Sequence, residues 1–207
     1  MVGWKGIPHK VEVYNYGDFD GPIALTGKKQ LPVLEYKTPA GETKYMPESL
    51  DIIKYLEGAT SPLNPTQPTG EVREDLKAWI KQARPQLVGL VRGAILKMPV
   101  KDWEKPEDII YAVNKYTTRF GFNYTEEDKK RAEHVTALEG HLRDLDSLLH
   151  SDKAVNAHGR SFDDIVLIPI LRSLTSVKGV QWPEKVQRYV EQGCADAGVQ
   201  TYSRHAV

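Results

Sequence analysis

The chain has 207 residues, 28 basic and 28 acidic side chains and a formal net charge of zero, so no polyanionic partner is implied. Its single cysteine excludes an internal disulfide framework, and the longest apolar run, residues 165–171, is far too short to cross a bilayer. That length holds one large domain or two small ones with ample core.

The opening, Met1-Val2-Gly3-Trp4-Lys5-Gly6-Ile7-Pro8, reads as the tail of a helix, with Gly6 as its left-handed stop and Pro8 beyond. Residues 9–16 follow as a strand, with Val11 and Val13 on one face. Asp20 to Thr26 is at most a short helix before Gly27. Leu31, Val33 and Leu34 then supply a strand that carries Pro32. A proline there has no N–H to give, so it lies at an edge, at a bulge or on a cis bond. Thr38-Pro39-Ala40-Gly41 suits a type I turn, and Lys44-Tyr45-Met46 returns antiparallel until Pro47 ends it. The next helix puts Ile52, Ile53 and Leu56 on one face.

Two features of this stretch carry chemistry. On a cis Leu31–Pro32 bond, the Leu31 main chain faces outward, free to pair with an extended peptide by strand addition. Glu48-Ser49 opens the helix, so free N–H groups, the positive dipole end and a hydroxyl converge where a carboxylate is welcome. The Glu48 carboxylate can accept bonds from an ammonium. Glutathione, with one amino-acid head and one short peptide strand, satisfies both halves.

Gly27-Lys28-Lys29-Gln30-Leu31-Pro32-Val33-Leu34, followed by Tyr45-Met46-Pro47-Glu48-Ser49-Leu50-Asp51-Ile52, resembles the bacterial glutaredoxin 2 family. The resemblance implies a thioredoxin-like α/β amino-terminal domain and an all-α carboxy-terminal domain in glutathione transferase-like architecture. It implies glutathione-dependent thiol–disulfide exchange, with glutathione as co-substrate and no metal. The glutathione-docking residues would be Leu31, Pro32, Glu48 and Ser49. Protein or small-molecule disulfides would be the partners of a cytoplasmic monomer, with no nucleic acid and no membrane. The resembled fold opens with a strand and a turn bearing Cys-Pro-x-Cys, which the 207 residues lack. About fifteen residues would hold them, and the expectation is a chain truncated at its start and inactive as it stands. The alternatives are a non-catalytic binding module of the same fold, or a glutathione transferase.

The expected division is an incomplete thioredoxin-like domain over residues 1–58, a linker over 59–70 and a helical domain over 71–207. The linker carries three prolines and several Ser and Thr without apolar periodicity. Beyond it, Val72, Leu76, Trp79, Ile80, Ala83 and Leu87 begin a long helical pattern that Pro85 should kink. Pro106 suits the first turn of a helix that ends at Gly121. Thr125-Glu126-Glu127-Asp128 resembles a capping box, opening a helix through Leu149. Ser161-Phe162-Asp163-Asp164 is a second such box, and the helix behind it is apolar nearly all round, so it should be buried at the centre. Trp182-Pro183 opens a last helix with Val186, Tyr189 and Val190 inward.

Other constellations carry less. His134 and His141 could share a helix face, but nothing supplies the third ligand of a metal site. Cys194 has no neighbouring motif to lower its pKa and reads as a bystander thiol. Tyr14 and Tyr16 stand on the wrong strand for a hydroxyl that would stabilise a glutathione thiolate. Lys28-Lys29 and Lys129-Lys130-Arg131 read as solvated faces.

Overall fold

Helix ends fix most of the element boundaries in the computed structural model, which describes residues 1–59 and 70–207. At the start, the Ile7 N–H donates to the Val2 carbonyl at 3.0 Å and the Gly6 N–H to that of Gly3 at 2.9 Å. With Gly6 at φ +60°, this is the paired closure of a helix end in the left-handed region, as the opening residues imply. α1 spans Asp20–Thr26 and stops at Gly27.

The strand expected over residues 9–16 does not form: no ladder is assigned there, and the Val11 side chain is 68% exposed. Alternating valines favour a strand only where a neighbour can take its backbone groups. The described strands pair with each other instead, and the Tyr16 N–H donates to the carbonyl of Asp102 in the helical half at 3.0 Å.

β1 (Val33–Lys37) and β2 (Thr43–Pro47) make an antiparallel hairpin, in register from Val33 opposite Pro47 to Lys37 opposite Thr43. The ladder starts two residues later than the sequence pattern implies, leaving Leu31 and Pro32 ahead of it. The turn closes as expected, with the Gly41 N–H donating to the Thr38 carbonyl at 2.8 Å. α2 follows as Ser49–Ala59. Residues 60–69, most of the expected linker, lie outside the described residues.

The second half is helical: α3 (Glu74–Ile95), α4 (Pro106–Phe120), α5 (Tyr124–Lys129), α6 (Arg131–Leu148), α7 (Phe162–Leu174) and α8 (Glu184–Asp196). α3 runs through Pro85 as a single helix. α4 begins on Pro106 and ends at Gly121 with φ +62°, both as read. The Thr125 box is corrected by two residues: Asn123 caps α5, its Oδ1 accepting the Glu126 N–H at 3.2 Å. Asparagine caps at least as well as threonine, and here it stands three residues before a glutamate. The expected single helix is also two, broken at Lys130 between α5 and α6.

The box at Ser161 forms and joins three segments. Asp164 Oδ2 accepts from the Ser161 N–H at 2.8 Å and its hydroxyl at 3.1 Å. Oδ1 accepts from the Val155 N–H at 3.0 Å and the Tyr189 hydroxyl at 2.8 Å. Burial pushes the Asp164 carboxyl above its ordinary value despite these four donors. Leu167, Leu171 and Leu174 of α7 are fully buried in the main apolar cluster, where α7 packs on α3 and α8, although Pro169 reaches the surface. Among the described residues, the buried members of the main apolar cluster lie between Leu76 and Cys194, with Trp4 and Val72 packed against it. Among the described residues, no helix is long and apolar enough to cross a membrane.

Candidate functional site

The peptide bond between Leu31 and Pro32 is cis. Leu31 stands outside the β1–β2 ladder, its side chain is 52% exposed, and its main chain makes no hydrogen bond among the described residues. One residue earlier, Gln30 Nε2 donates to Glu48 Oε1 at 3.2 Å, tying the approach to Leu31 to the start of α2. Glu48 is the only non-glycine residue with positive φ among those described, at +71°. Its carbonyl accepts the Ile52 N–H at 3.0 Å, so it is the residue on which α2 begins. The N–H groups of Ser49, Leu50 and Asp51 are left at a helix start with no intrahelical carbonyl to take them. Glu48 and Ser49 are both exposed.

All four residues singled out in the sequence therefore lie along one junction, where the chain enters β1 and leaves β2. The left-handed backbone of Glu48 was not legible. Glutamate has no preference for that region, and only the need to turn from β2 into α2 puts it there.

The remaining candidates separate from this junction. Cys194 lies in α8, 1% exposed, and burial pushes its thiol above the ordinary value. His134 pairs with Glu127, Nε2 to Oε2 at 2.8 Å. A small cavity of about 30 Å3, lined in part by Gly89, Tyr124 and Arg131, lies in the helical half and has room for one water molecule.

Tyr16 enters a seam between the two halves that the sequence did not disclose. Asp108, in the first turn of α4 and 2% exposed, accepts from the Gly17 N–H at 2.8 Å, Asn15 Nδ2 at 2.9 Å and the Lys105 N–H at 3.3 Å. A Cβ on Gly17 would lie 2.6 Å from Asp108 Oδ1, so that approach needs glycine. Tyr16 itself stacks on Trp103 with ring centroids 4.5 Å apart. The available signal was an aspartate two residues after a helix-opening proline, but it marks a cap as readily as a clamp.

A proline-bearing hairpin, a helix opening on Glu48-Ser49 and an all-helical second half define a protein of glutathione transferase-like architecture. The glutathione S-transferase N-terminal domain family matches residues 1–65, and glutaredoxin 2, C terminal domain, matches residues 75–206. The chain belongs to the glutaredoxin 2 family. It is 29% identical over 208 aligned positions to glutaredoxin 2 of Escherichia coli K12, covering 100% of this chain and 92% of that one. The crystal structure of glutaredoxin 2 from Salmonella typhimurium in complex with glutathione superposes with a TM-score of 0.89 at 27% identity, covering 100% of this chain and 90% of that one. The glutathione transferase GSTFuA3 from Phanerochaete chrysosporium, at TM-score 0.59 and 21% identity, shares the fold over 94% of this chain and 86% of its own.

Proposed function

We propose that Leu31, Pro32, Glu48 and Ser49 dock glutathione, and that the protein serves glutathione-dependent thiol–disulfide exchange. The observation that carries this reading is the unbonded Leu31 main chain beside the open start of α2, joined by the Gln30–Glu48 bond. Leu31 offers one donor and one acceptor to a peptide strand, and the Ser49 end of α2 offers N–H groups to a carboxylate. Glu48 offers an acceptor to an ammonium. The Salmonella relative, solved with glutathione bound, supports the choice of ligand.

In the exchange, a thiolate attacks one sulfur of a disulfide, a new S–S bond forms, and the other sulfur leaves as a thiolate. The chain contains one cysteine, and Cys194 is buried with a raised pKa, so it is a poor source of that nucleophile. These 207 residues thus supply docking for glutathione, whose own thiol is the reactive group, and no turnover of their own. Residues 1–58 form the docking unit and residues 71–207 its helical support, in a cytoplasmic monomer whose partners are protein or small-molecule disulfides.

Calorimetric titration with reduced glutathione tests the docking. The chain should bind it, and Glu48→Ala should weaken binding about tenfold, the usual loss of a bond to a charged group. Binding that is absent, or that Glu48→Ala and Ser49→Ala both leave unchanged, overturns the assignment. In a coupled assay on a small glutathione mixed disulfide, the rate should not exceed background, with Cys194→Ala alike. Turnover that Cys194→Ala removes would show that the buried thiol is the nucleophile after all.

A further inference from the structure

Tyr16 sits between two ammonium groups brought together from opposite halves of the chain. Lys29 Nζ donates to the Tyr16 carbonyl at 2.8 Å and lies 3.6 Å from the ring centroid of Phe19 and 4.0 Å from that of Tyr111. Lys115 Nζ, from α4, donates to the Tyr16 hydroxyl at 3.1 Å and lies 4.9 Å from its ring centroid. Neither ammonium has an ion-pair partner among the described residues. The carboxylates whose charge reaches Lys29 are those of Asp18 and Asp108. Both are committed elsewhere: Asp18 accepts the Gly21 N–H at 3.0 Å, and Asp108 holds Asn15, Gly17 and Lys105.

Each ammonium has three donors and spends one on these hydrogen bonds. Both lysines are half-buried, so their repulsion is less screened than on an open surface. Desolvation first, and then the charge of Lys115, push the Lys29 pKa below its ordinary value. The Tyr116 hydroxyl, 3.1 Å from that of Tyr16, has its pKa pushed up to about 12, so it stays neutral and adds no negative charge. An anion placed here would meet free donors and relieve the repulsion. Lys29 stands two residues before Leu31, within about 7 Å along the chain of the strand read as docking glutathione.

We propose that Lys29 and Lys115 form an anion subsite that receives a carboxylate from the second half of the disulfide. The preferred ligands are then acidic disulfides, in which glutathione is linked to a thiol bearing a carboxylate close to its sulfur. Peptides and small thiols carry their negative charge mainly as carboxylates, and the rings of Phe19 and Tyr111 flank the Lys29 ammonium. This proposal rests on the reading of Leu31, Pro32, Glu48 and Ser49 as the glutathione dock.

The test uses the full chain and two mixed disulfides that share their glutathione half. One joins glutathione to 3-mercaptopropionate, and the other joins it to the neutral 2-mercaptoethanol. Calorimetry should show the acidic ligand binding about tenfold more tightly, as expected for a charge-assisted bond, with the preference narrowing as salt is added. Lys115→Met should abolish the preference while reduced glutathione still binds with wild-type affinity, and Lys115→Arg should restore it. Circular dichroism of each variant checks that the seam still folds. Equal affinities in the wild-type chain, or a preference surviving both Lys29→Met and Lys115→Met, overturns the subsite and leaves the dock standing. If reduced glutathione also fails to bind, the dock falls and the subsite with it.

Discussion

Glu48 combines a strained backbone with a side chain aimed at Gln30, and its substitutions separate those roles. In the left-handed region an ordinary residue gives up about 1–2 kcal/mol, and a β-branched one is worse placed still. Glutamate already carries that penalty, so Glu48→Val should lower the unfolding free energy in urea titrations by only the extra part, about 1 kcal/mol. Glu48→Gly removes the clash but gains freedom in the unfolded chain, so it should stay within about 1 kcal/mol of the parent. Both variants lose the carboxylate and should bind glutathione equally poorly. A Glu48→Gly chain that binds like the parent would show that backbone placement matters there and the carboxylate does not. That Leu31, Pro32, Glu48 and Ser49 lie together was legible for a local reason. Leu31-Pro32 and Glu48-Ser49 bracket one hairpin, so their proximity follows from the turn at Thr38 and the register of β1 on β2. Lys29, Tyr16 and Lys115 meet only because the two halves dock, about a hundred residues apart, and no local pattern encodes that.

Among elements, those written in helix punctuation were legible and those needing a neighbour were not. Pro106, Gly121 and the Ser161 box each act within one or two turns, and α4 and α7 begin and end accordingly. Residues 9–16 carry a strand pattern, but their backbone partners come from elsewhere in the fold, and there Asp102 took the place of a strand. The shift of the α5 cap to Asn123 is a contest between two adequate caps, which spacing alone does not decide. The Ser161 box is unlike the others because Asp164 serves the Val155 N–H and Tyr189 as well as its own helix. Asp164→Ala leaves two buried N–H groups and two buried hydroxyls, of Ser161 and Tyr189, without their acceptor, at a cost of about 1–3 kcal/mol each, so the variant should approach the limit of a small domain's stability. Ser161→Ala removes one hydroxyl and should cost about 1–2 kcal/mol. Chemical denaturation of the two variants should show that order. Equal losses would mean that Asp164 acts as an ordinary cap.

At the scale of the whole molecule, the halves differ in what holds them. Among the described residues, the main apolar cluster begins at Leu76, whereas before Gly70 the buried apolar side chains are Pro22 and Leu56. The amino-terminal half is attached through a few ring contacts, of Trp4 on the cluster and of Tyr16 on Trp103, and through polar clamps. Trp4 Nε1 donates to the Gly193 carbonyl at 2.8 Å, and Asp108 grips Asn15 and Gly17. Burial alone would push the Asp108 carboxyl up, but bonds from Asn15, Gly17 and Lys105 outweigh it and hold the pKa below its ordinary value. A depressed folded pKa means that the ionised clamp stabilises the fold above the usual carboxylate range. That contribution fades as pH falls through the lowered value. Amide exchange near neutral pH should therefore find α7 far better protected than residues 8–57, because those amides open without disturbing the Leu76–Cys194 cluster. Lowering the pH below the usual carboxylate range should speed exchange in residues 15–57 before α7 responds, and Asp108→Ala should produce the same loosening at neutral pH. If residues 8–57 are as protected as Leu167 and Leu171, or if both halves lose protection together on acidification, the amino-terminal half belongs to the same cooperative unit as the helical core, and Asp108 is not its hinge.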